Sequence, residues 1–325
     1  MIMSNNFRVA VVQAGSILMD REACLAKALK LIDEAAAKGA KYVLFPEAFI
    51  PGYPRGLNFC ASVGYRFPEG RKDWRRYWEN SVPIPSKTID ALGAAARKNS
   101  IYLTVGIIER ETEGSQGTVY CTIVYFGPDG TLLGKHRKLK PTGGERTIWG
   151  EGDGSTLKVI DTPYGRIGGL ICWENYVPLA RAAMYEQGLS IYIAPTADAR
   201  DGWIASMQHI ALEGRCFVMS ANQYSTKESY PTDLACAKDL EDKPDIICRG
   251  ASMIVNPLGE IIAGPALDGE TILVADLDMD LVPESRFDFD VTGHYSLPNV
   301  FHLTVNTAKK QCVQFVDLSK EKEVK

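Results

Sequence analysis

The first part of the chain alternates strand and helix patterns. Residues Phe7–Gln13 form a short apolar run, which is typical of a strand buried on both faces. Apolar residues at helical spacing over Arg21–Lys38 predict an amphipathic helix, and a second apolar run follows at Tyr42–Phe45. Strand, helix and strand together predict a βαβ unit. Glu47 then lies where the second strand passes into a loop.

The middle of the chain changes to hairpin patterns. The segment from Pro51 is rich in proline and glycine and predicts a loop over the sheet edge. Helical spacing resumes only at Thr88–Lys98. Three further strands are predicted at Ile101–Ile108, Val119–Phe126 and Thr131–Leu133, with a turn at Gly127–Gly130. Because no helix separates these strands, we expect antiparallel pairing.

The second half returns to strand and helix alternation. A strand at Ile167–Ile171 leads directly to Cys172, and we expect a helix immediately after it. The other predicted elements are strands at Leu157–Asp161, Ile191–Ala194, Phe217–Ala221, Ser252–Val255, Glu260–Ala263 and Ile272–Asp276, a helix at Trp203–Arg215 and an irregular segment at Lys227–Asp245. The pattern predicts a single α/β domain over residues 1–306 and a partly disordered tail over 307–325.

Composition excludes several classes of protein. Of the 325 residues 46% are hydrophobic and 23% are charged, and the net charge is −4, so nucleic acid is not an expected partner. Neither a membrane-spanning run nor a signal peptide is visible in the sequence. Eight cysteines without a CxxC pair predict reduced thiols, and we expect a cytoplasmic protein.

Metal and cofactor signals are weak. His209 and Glu213 form the only helical pair that suggests a metal, and a polar pair on one helix face is the favoured interpretation because a structural zinc needs four ligands. The GEGDG string at 150–154 lacks the GK[ST] sequence of a phosphate-binding loop. We therefore expect neither a metal nor a nucleotide, and no other cofactor.

Three ionisable residues form a candidate constellation. Glu47 and Cys172 each follow an apolar run, and α/β sheets place their sites beyond the carboxyl ends of strands. Lys138, in the basic stretch between them, is placed to join them. A helix N-terminus at Cys172 would favour its thiolate, and the amide of Trp173 would donate to a developing anion. Taken singly, each has an ordinary alternative: a solvated loop carboxylate, a solvated lysine or a buried cysteine that fills space.

The full strings decide between these interpretations. FPEAFIPGYPRG, GKHRKLKPT and GGLICWENYVPLARAAMY resemble the nitrilases of the carbon-nitrogen hydrolase superfamily, over roughly residues 7–305, and GYPRG with PTADARD is similar to the plant- and fungus-type members. The resemblance implies a Glu47, Lys138 and Cys172 triad, with Glu145 as a second glutamate that orients Lys138 or the substrate. It also implies a four-layer α-β-β-α sandwich that dimerises into an αββααββα arrangement.

The same resemblance implies the reaction. Cys172 attacks a nitrile to form a thioimidate and then a thioester, and water releases ammonia and a carboxylic acid. Superfamily amidases and carbamoylases usually carry other residues after the cysteine, so Cys172-Trp173-Glu174 favours nitriles, and amide hydrolysis is the alternative. A binding or scaffold protein that lacks activity is disfavoured because all three triad residues are present. The expected partners are a small nitrile, which can be aliphatic, arylacetonitrile or β-cyanoalanine type, and water.

The resemblance also points to substrate-binding residues. Pro195 and Thr196 in PTADARD are expected to contact the substrate. Tyr53, Trp149, Trp173 and Trp203 either pack in the core or form an aromatic wall around an apolar nitrile tail, with Trp149 and Trp173 the favoured wall residues. We expect a homodimer or a higher homo-oligomer, and the short tail after His302 disfavours long spirals.

Overall fold

The structure is a computed structural model that describes residues 6–114 and 116–316. Its strands there are β1 (Asn6–Gln13), β2 (Tyr42–Leu44), β3 (Ala61–Ser62), β4 (Tyr65–Arg66), β5 (Val82–Pro83), β6 (Tyr102–Arg110), β7 (Val119–Phe126), β8 (Leu132–Arg137), β9 (Val159–Thr162), β10 (Gly165–Gly169), β11 (Leu189–Ile193), β12 (Phe217–Ser220), β13 (Tyr224–Thr226), β14 (Ile246–Val255), β15 (Ile261–Leu267) and β16 (Thr271–Asp278). Its α-helices are α1 (Arg21–Ala37), α2 (Pro68–Asn80), α3 (Lys87–Asn99), α4 (Pro178–Tyr185), α5 (Asp201–Gly214) and α6 (Leu281–Arg286).

These strands form two large mixed sheets and one small hairpin. The first sheet has the order β16-β1-β2-β6-β7-β8, with β5 beside β6, and the second has the order β13-β14-β12-β11-β10-β9, with β15 beside β14. Strands β1, β2 and β6 are parallel, whereas β6, β7 and β8 pair antiparallel. The predicted βαβ unit and the predicted hairpins are therefore both confirmed.

Three apolar clusters separate four layers. One cluster lies between the two sheets, a second joins the first sheet to α1 and α3, and a third joins the second sheet to α4 and α5. In β1, Val9 and Val11 face the cluster between the sheets, while Ala10 and Val12 face the helices. Strands buried on both faces need continuous apolar sequences, which explains why the runs predicted them. The α-β-β-α sandwich implied by the resemblance is confirmed.

The sequence patterns missed the helices α2 and α6 and shortened several strands, including β8 and β14. Helix α2 buries Gly70, Asp73 and Tyr77, so it has no aliphatic stripe that periodicity can detect. The polar edge strand β8 runs on to Arg137, well past the predicted end at Leu133. This extension matters because it brings the backbone of β8 directly up to Lys138.

The C-terminal segment packs on the surface without regular secondary structure. Residues 307–316 are exposed, Lys309 forms an ion pair with Glu113, and the Lys310 amide donates to Asp153 at 2.8 Å. The remainder of the predicted tail, 317–325, lies outside the described residues, and the domain boundary at 306 stays a prediction. Among the described residues, no helix has the length and hydrophobicity needed to cross a lipid bilayer.

Close backbone approach at β6 positions the loop that follows β2. A Cβ atom added to Gly106 would lie 2.1 Å from the Pro46 carbonyl oxygen and 2.7 Å from the Ala48 amide nitrogen. Only glycine allows two backbone segments to come this close. The side chain between these two contacts is Glu47, so Gly106 sets how deeply that carboxylate enters the interior.

Candidate active site

Three strand ends, from both sheets, deliver the candidate residues. Glu47 follows β2 and Lys138 follows β8, both in the first sheet, while Cys172 follows β10 in the second sheet. All three side chains are buried, and Lys138 is among the largest fully buried side chains in the protein. The site therefore lies where the two sheets face each other, and neither sheet contains it alone.

Lys138 is the electrostatic centre of the site. Its Nζ donates to Glu47 Oε1 at 2.6 Å and to Glu145 Oε2 at 2.8 Å. Burial by itself would lower the pKa of this ammonium, but the surrounding acidic groups, with Glu47 foremost, hold the pKa well above its ordinary value. Lys138 thus stays charged in an interior where an unpaired cation would be very costly.

Cys172 is held in a turn with a left-handed backbone conformation. Its φ is 53°, its amide donates to the Pro195 carbonyl at 2.8 Å, and its Sγ accepts a hydrogen bond from Thr196 Oγ1 at 3.2 Å. Such a φ is unfavourable for a residue with a side chain and is concentrated at functional sites. The hydrogen bonds hold the thiol at this position against the backbone strain.

The expected α-helix does not begin at Cys172. A five-residue 3₁₀ helix, Cys172–Tyr176, follows the strand, and α4 starts only at Pro178. Burial and the nearby Glu47 carboxylate raise the pKa of the Cys172 thiol to about 12, despite the opposing effect of Lys138. A thiol with a raised pKa needs a base to become a thiolate, and a 3₁₀ helix stands where the N-terminus of an α-helix was expected to favour it.

Glu47 is suited to be that base. Its Oε1 receives Lys138 Nζ and, at 3.4 Å, the Cys121 thiol, whereas Oε2 is buried and has no hydrogen-bond partner among the described residues. Burial raises the pKa of Glu47, and Lys138 offsets part of that rise. A carboxylate with a raised pKa and one unoccupied oxygen can accept a proton more readily than an exposed one.

Glu145 connects the lysine to the aromatic side of the site. Besides contacting Lys138, it accepts hydrogen bonds from Tyr53 Oη at 2.6 Å and from the Thr142 amide at 2.6 Å. The Tyr53 ring in turn meets Trp149 edge-on, with 5.4 Å between ring centroids. The structure therefore places Glu145 where an orienting residue for Lys138 is expected.

A cavity of about 390 Å³ opens onto Cys172. Tyr53, Trp149 and Trp173 line it, while Trp203 is fully buried and donates from Nε1 to Ser220 Oγ, so Trp203 packs in the core. Pro195 and Thr196 contact Cys172 itself. The cavity wall also contains Glu145 and five polar or charged residues that the sequence did not single out, namely Arg55, Thr142, Thr147, Asp198 and Arg200.

Glu174 forms a bridge that sequence reasoning missed. Its Oε1 accepts from the Leu139 amide at 2.5 Å, and its Oε2 accepts from the Ile171 amide at 2.8 Å and lies 3.1 Å from His136 Nε2. Leu139 follows Lys138 and Ile171 precedes Cys172, so this Glu174 bridge joins the two sheets beside the candidate residues. The available sequence signal is the position of Glu174 two residues after the cysteine, where it also forms part of the family string.

The possible metal pair belongs to a different network. His209 Nε2 lies 3.7 Å from Glu213 Oε1, and the Glu213 carboxylate is occupied by Arg181 and by Tyr185 Oη. Among the described residues, no group of three or more metal-ligating side chains is found. The favoured interpretation of a polar pair on one helix face agrees with these contacts.

Replacing Glu174 with glutamine tests the bridge. Glutamine has one acceptor oxygen where the carboxylate has two, so Glu174→Gln is expected to leave a buried donor unpaired and to lower the free energy of unfolding by about 1 to 3 kcal/mol. It is also expected to slow alkylation of Cys172 by iodoacetamide, followed by peptide mass spectrometry. Glu186→Gln, at an exposed position, is the control; alkylation at an unchanged rate would limit Glu174 to a role in stability.

Comparison with known proteins gives consistent matches. A family model described as "Carbon-nitrogen hydrolase" matches residues 8–287. An aliphatic nitrilase of Sinorhizobium fredii is 53% identical, over 94% of this chain and 98% of its own. A bifunctional nitrilase/nitrile hydratase of Lupinus angustifolius is 48% identical, over 98% of this chain and 91% of its own.

Solved structures show the same fold at low identity. Saccharomyces cerevisiae Nit3, described as a member of branch 10 of the nitrilase superfamily, superposes with a TM-score of 0.68 at 23% identity, covering 90% of this chain and 97% of its own. The Caenorhabditis elegans NitFhit protein superposes with a TM-score of 0.70 at 20% identity, covering 94% of this chain and 69% of its own.

Proposed function

The chain belongs to the carbon-nitrogen hydrolase family and is a nitrilase within it, and from this premise we propose that Cys172, Glu47 and Lys138 convert a nitrile into a carboxylic acid and ammonia. The observation that carries the proposal is the buried Lys138 ammonium, which is held by Glu47 and Glu145 beside the Cys172 thiol. This arrangement supplies a nucleophile, a base and a fixed positive charge at the end of one cavity.

The first step forms a carbon-sulfur bond. Glu47 takes the proton from Cys172, and the thiolate attacks the nitrile carbon. The electron pair displaced from the triple bond goes to nitrogen, which receives the proton from Glu47. The resulting covalent adduct is a thioimidate. Lys138 and the Trp173 amide stabilise the negative charge that develops on that nitrogen. The raised pKa of the thiol explains why a base must act in the same step.

Water completes the reaction in two further steps. Glu47 takes a proton from one water molecule and passes it to the nitrogen, while the resulting hydroxide adds to the thioimidate carbon to form a tetrahedral intermediate. The hydroxyl proton of this intermediate then moves to the nitrogen, the carbon-nitrogen bond breaks, and ammonia leaves as the carbonyl of the thioester forms. A second water molecule then attacks the thioester, which releases the acid and returns the proton to Cys172. The sum is one nitrile and two water molecules giving one acid and one ammonia. These steps use only side chains, backbone amides, substrate and water.

The residues around the triad position the reacting groups and the substrate. Glu145 holds Lys138 in place and keeps it charged, while its bond to Tyr53 couples this pair to the aromatic wall. Thr196 and the Pro195 carbonyl hold Cys172 in its turn. Tyr53, Trp149 and Trp173 enclose the part of the substrate next to the nitrile.

Replacing the nucleophile tests the mechanism directly. Cys172→Ala is expected to abolish ammonia release from nitriles and to leave the melting temperature close to that of the wild type, because one small side chain replaces another. Cys216→Ala, at a buried cysteine outside the site, is the matched control and is expected to remain active. Ammonia release by the Cys172→Ala variant at the wild-type rate would refute the assignment.

A paired substrate panel tests nitriles against the alternative, an aliphatic amidase or carbamoylase. The purified chain is incubated with nitriles and with the amides of the same carbon skeletons, and ammonia is measured. We expect turnover of nitriles with the acid as product, because Trp173-Glu174 follows the nucleophile as in the nitrilases. Turnover of amides alone would assign the chain to the alternative.

We further propose that the chain acts as a homodimer or a higher homo-oligomer. Val177 and Leu179, at the start of α4, are 47% and 65% exposed on the outer layer of the sandwich, where an αββααββα pairing would cover them. Light scattering is expected to give at least a dimer mass, and a monomer mass would contradict the proposal.

A cytoplasmic location stays a prediction; the free thiols of all eight cysteines are typical of a reducing compartment.

A further inference from the structure

The charges around the cavity are paired, with one exception. Glu47 and Glu145 both accept hydrogen bonds from Lys138, and Asp198 forms an ion pair with Arg200, whose Nε lies 2.8 Å from Asp198 Oδ1. Asp198 also accepts Trp173 Nε1 at 2.9 Å. Arg55 lines the same cavity but forms no ion pair with any described residue.

Arg55 has unused hydrogen-bonding capacity. A guanidinium carries five N–H groups, and within the described part of the chain a single one has a partner, since Nη1 donates to the Ala197 carbonyl. The Arg55 backbone is held in place because its carbonyl accepts Tyr230 Oη at 2.9 Å. The side chain is half-buried, so a ligand in the cavity can reach the remaining N–H groups.

The position of Arg55 relative to Cys172 follows from Ala197. Thr196 Oγ1 donates to the Cys172 sulfur, and the carbonyl of the next residue, Ala197, accepts Arg55. Two consecutive residues therefore connect the thiol to the guanidinium, and both groups line the same cavity. A substrate of a few carbon atoms can place its nitrile at Cys172 and its other end at Arg55.

We propose that Arg55 binds the carboxylate of an anionic nitrile, so that the preferred substrates are short cyano acids and not purely apolar nitriles. A guanidinium fits a carboxylate bidentately, and because Glu47, Glu145 and Asp198 each already contact Lys138 or Arg200, Arg55 is the cation in the wall that has no carboxylate partner among the described residues. This inference rests on the proposed nitrilase function. It revises the expectation of an apolar tail: the aromatic wall packs against the carbon chain, and Arg55 takes its end.

The test compares two substrates of one skeleton, 3-cyanopropanoate and its methyl ester, by ammonia release. The wild type is expected to prefer the acid. In Arg55→Gln the ratio of kcat/KM for the acid over that for the ester is expected to fall about 10- to 100-fold, mainly through KM, because a charge-assisted contact is lost. Arg55→Lys, which keeps the charge but not the planar fork, is expected to recover part of the ratio.

Controls separate recognition from support of the loop. Arg75→Gln, at an exposed ion pair with Glu79 on α2, is the matched control and is expected to keep the wild-type ratio. If Arg55→Gln lowers kcat/KM equally for the acid and the ester, Arg55 only supports the Ala197 loop and the inference is wrong. A wild type that prefers the ester would also overturn it.

A binding measurement distinguishes this inference from the proposed function. In the Cys172→Ala background, calorimetry is expected to show binding of 3-cyanopropanoate that weakens about 10- to 100-fold when Arg55→Gln is added. Binding that does not depend on Arg55 would refute the inference even if nitriles are hydrolysed. Absence of ammonia from every nitrile, with Arg55-dependent binding intact, would instead refute the proposed function.

Discussion

The rest of the site depends on one buried cation. Lys138 is completely enclosed, and its charge is tolerated because Glu47 and Glu145 lie within hydrogen-bonding distance of the same nitrogen. Without these carboxylates Lys138 would be an unpaired cation in a low-dielectric interior, which is among the most costly states a protein core can contain. The three groups therefore constrain one another, and the position of each determines the protonation of the others.

This constraint explains how the thiol can be both inert and reactive. Burial and Glu47 keep Cys172 protonated at rest, with a pKa near 12, so the cavity does not expose a free thiolate. The same burial raises the pKa of Glu47 toward the range in which it accepts a proton during the reaction. Nucleophile and base are thus matched by a shared environment, and the fixed ammonium provides the charge that favours the transfer.

The sequence predicted the fold well where burial is two-sided, and less well where polar residues do structural work. Runs such as Phe7–Gln13 identify their strands because each residue must be apolar on both faces. Helix α2 was not predicted because its buried positions include Asp73, and the C-terminal end of β8 was not predicted because its residues are polar. The triad and Glu145 were named from the family strings, while Arg55, Asp198 and the Glu174 bridge depend on contacts between distant segments that no local pattern contains.

The Glu174 bridge has a wider consequence. Cys172 follows a strand of one sheet and Lys138 follows a strand of the other, so the spacing of the two sheets sets the distance between nucleophile and cation. The Glu174 carboxylate accepts hydrogen bonds from backbone amides on both sides of this gap. Every side chain in the shared core then acts as a spacer for the reaction as well as a source of stability. In such a molecule a substitution that changes the volume of a side chain between the two sheets also changes the distance between the nucleophile and the cation.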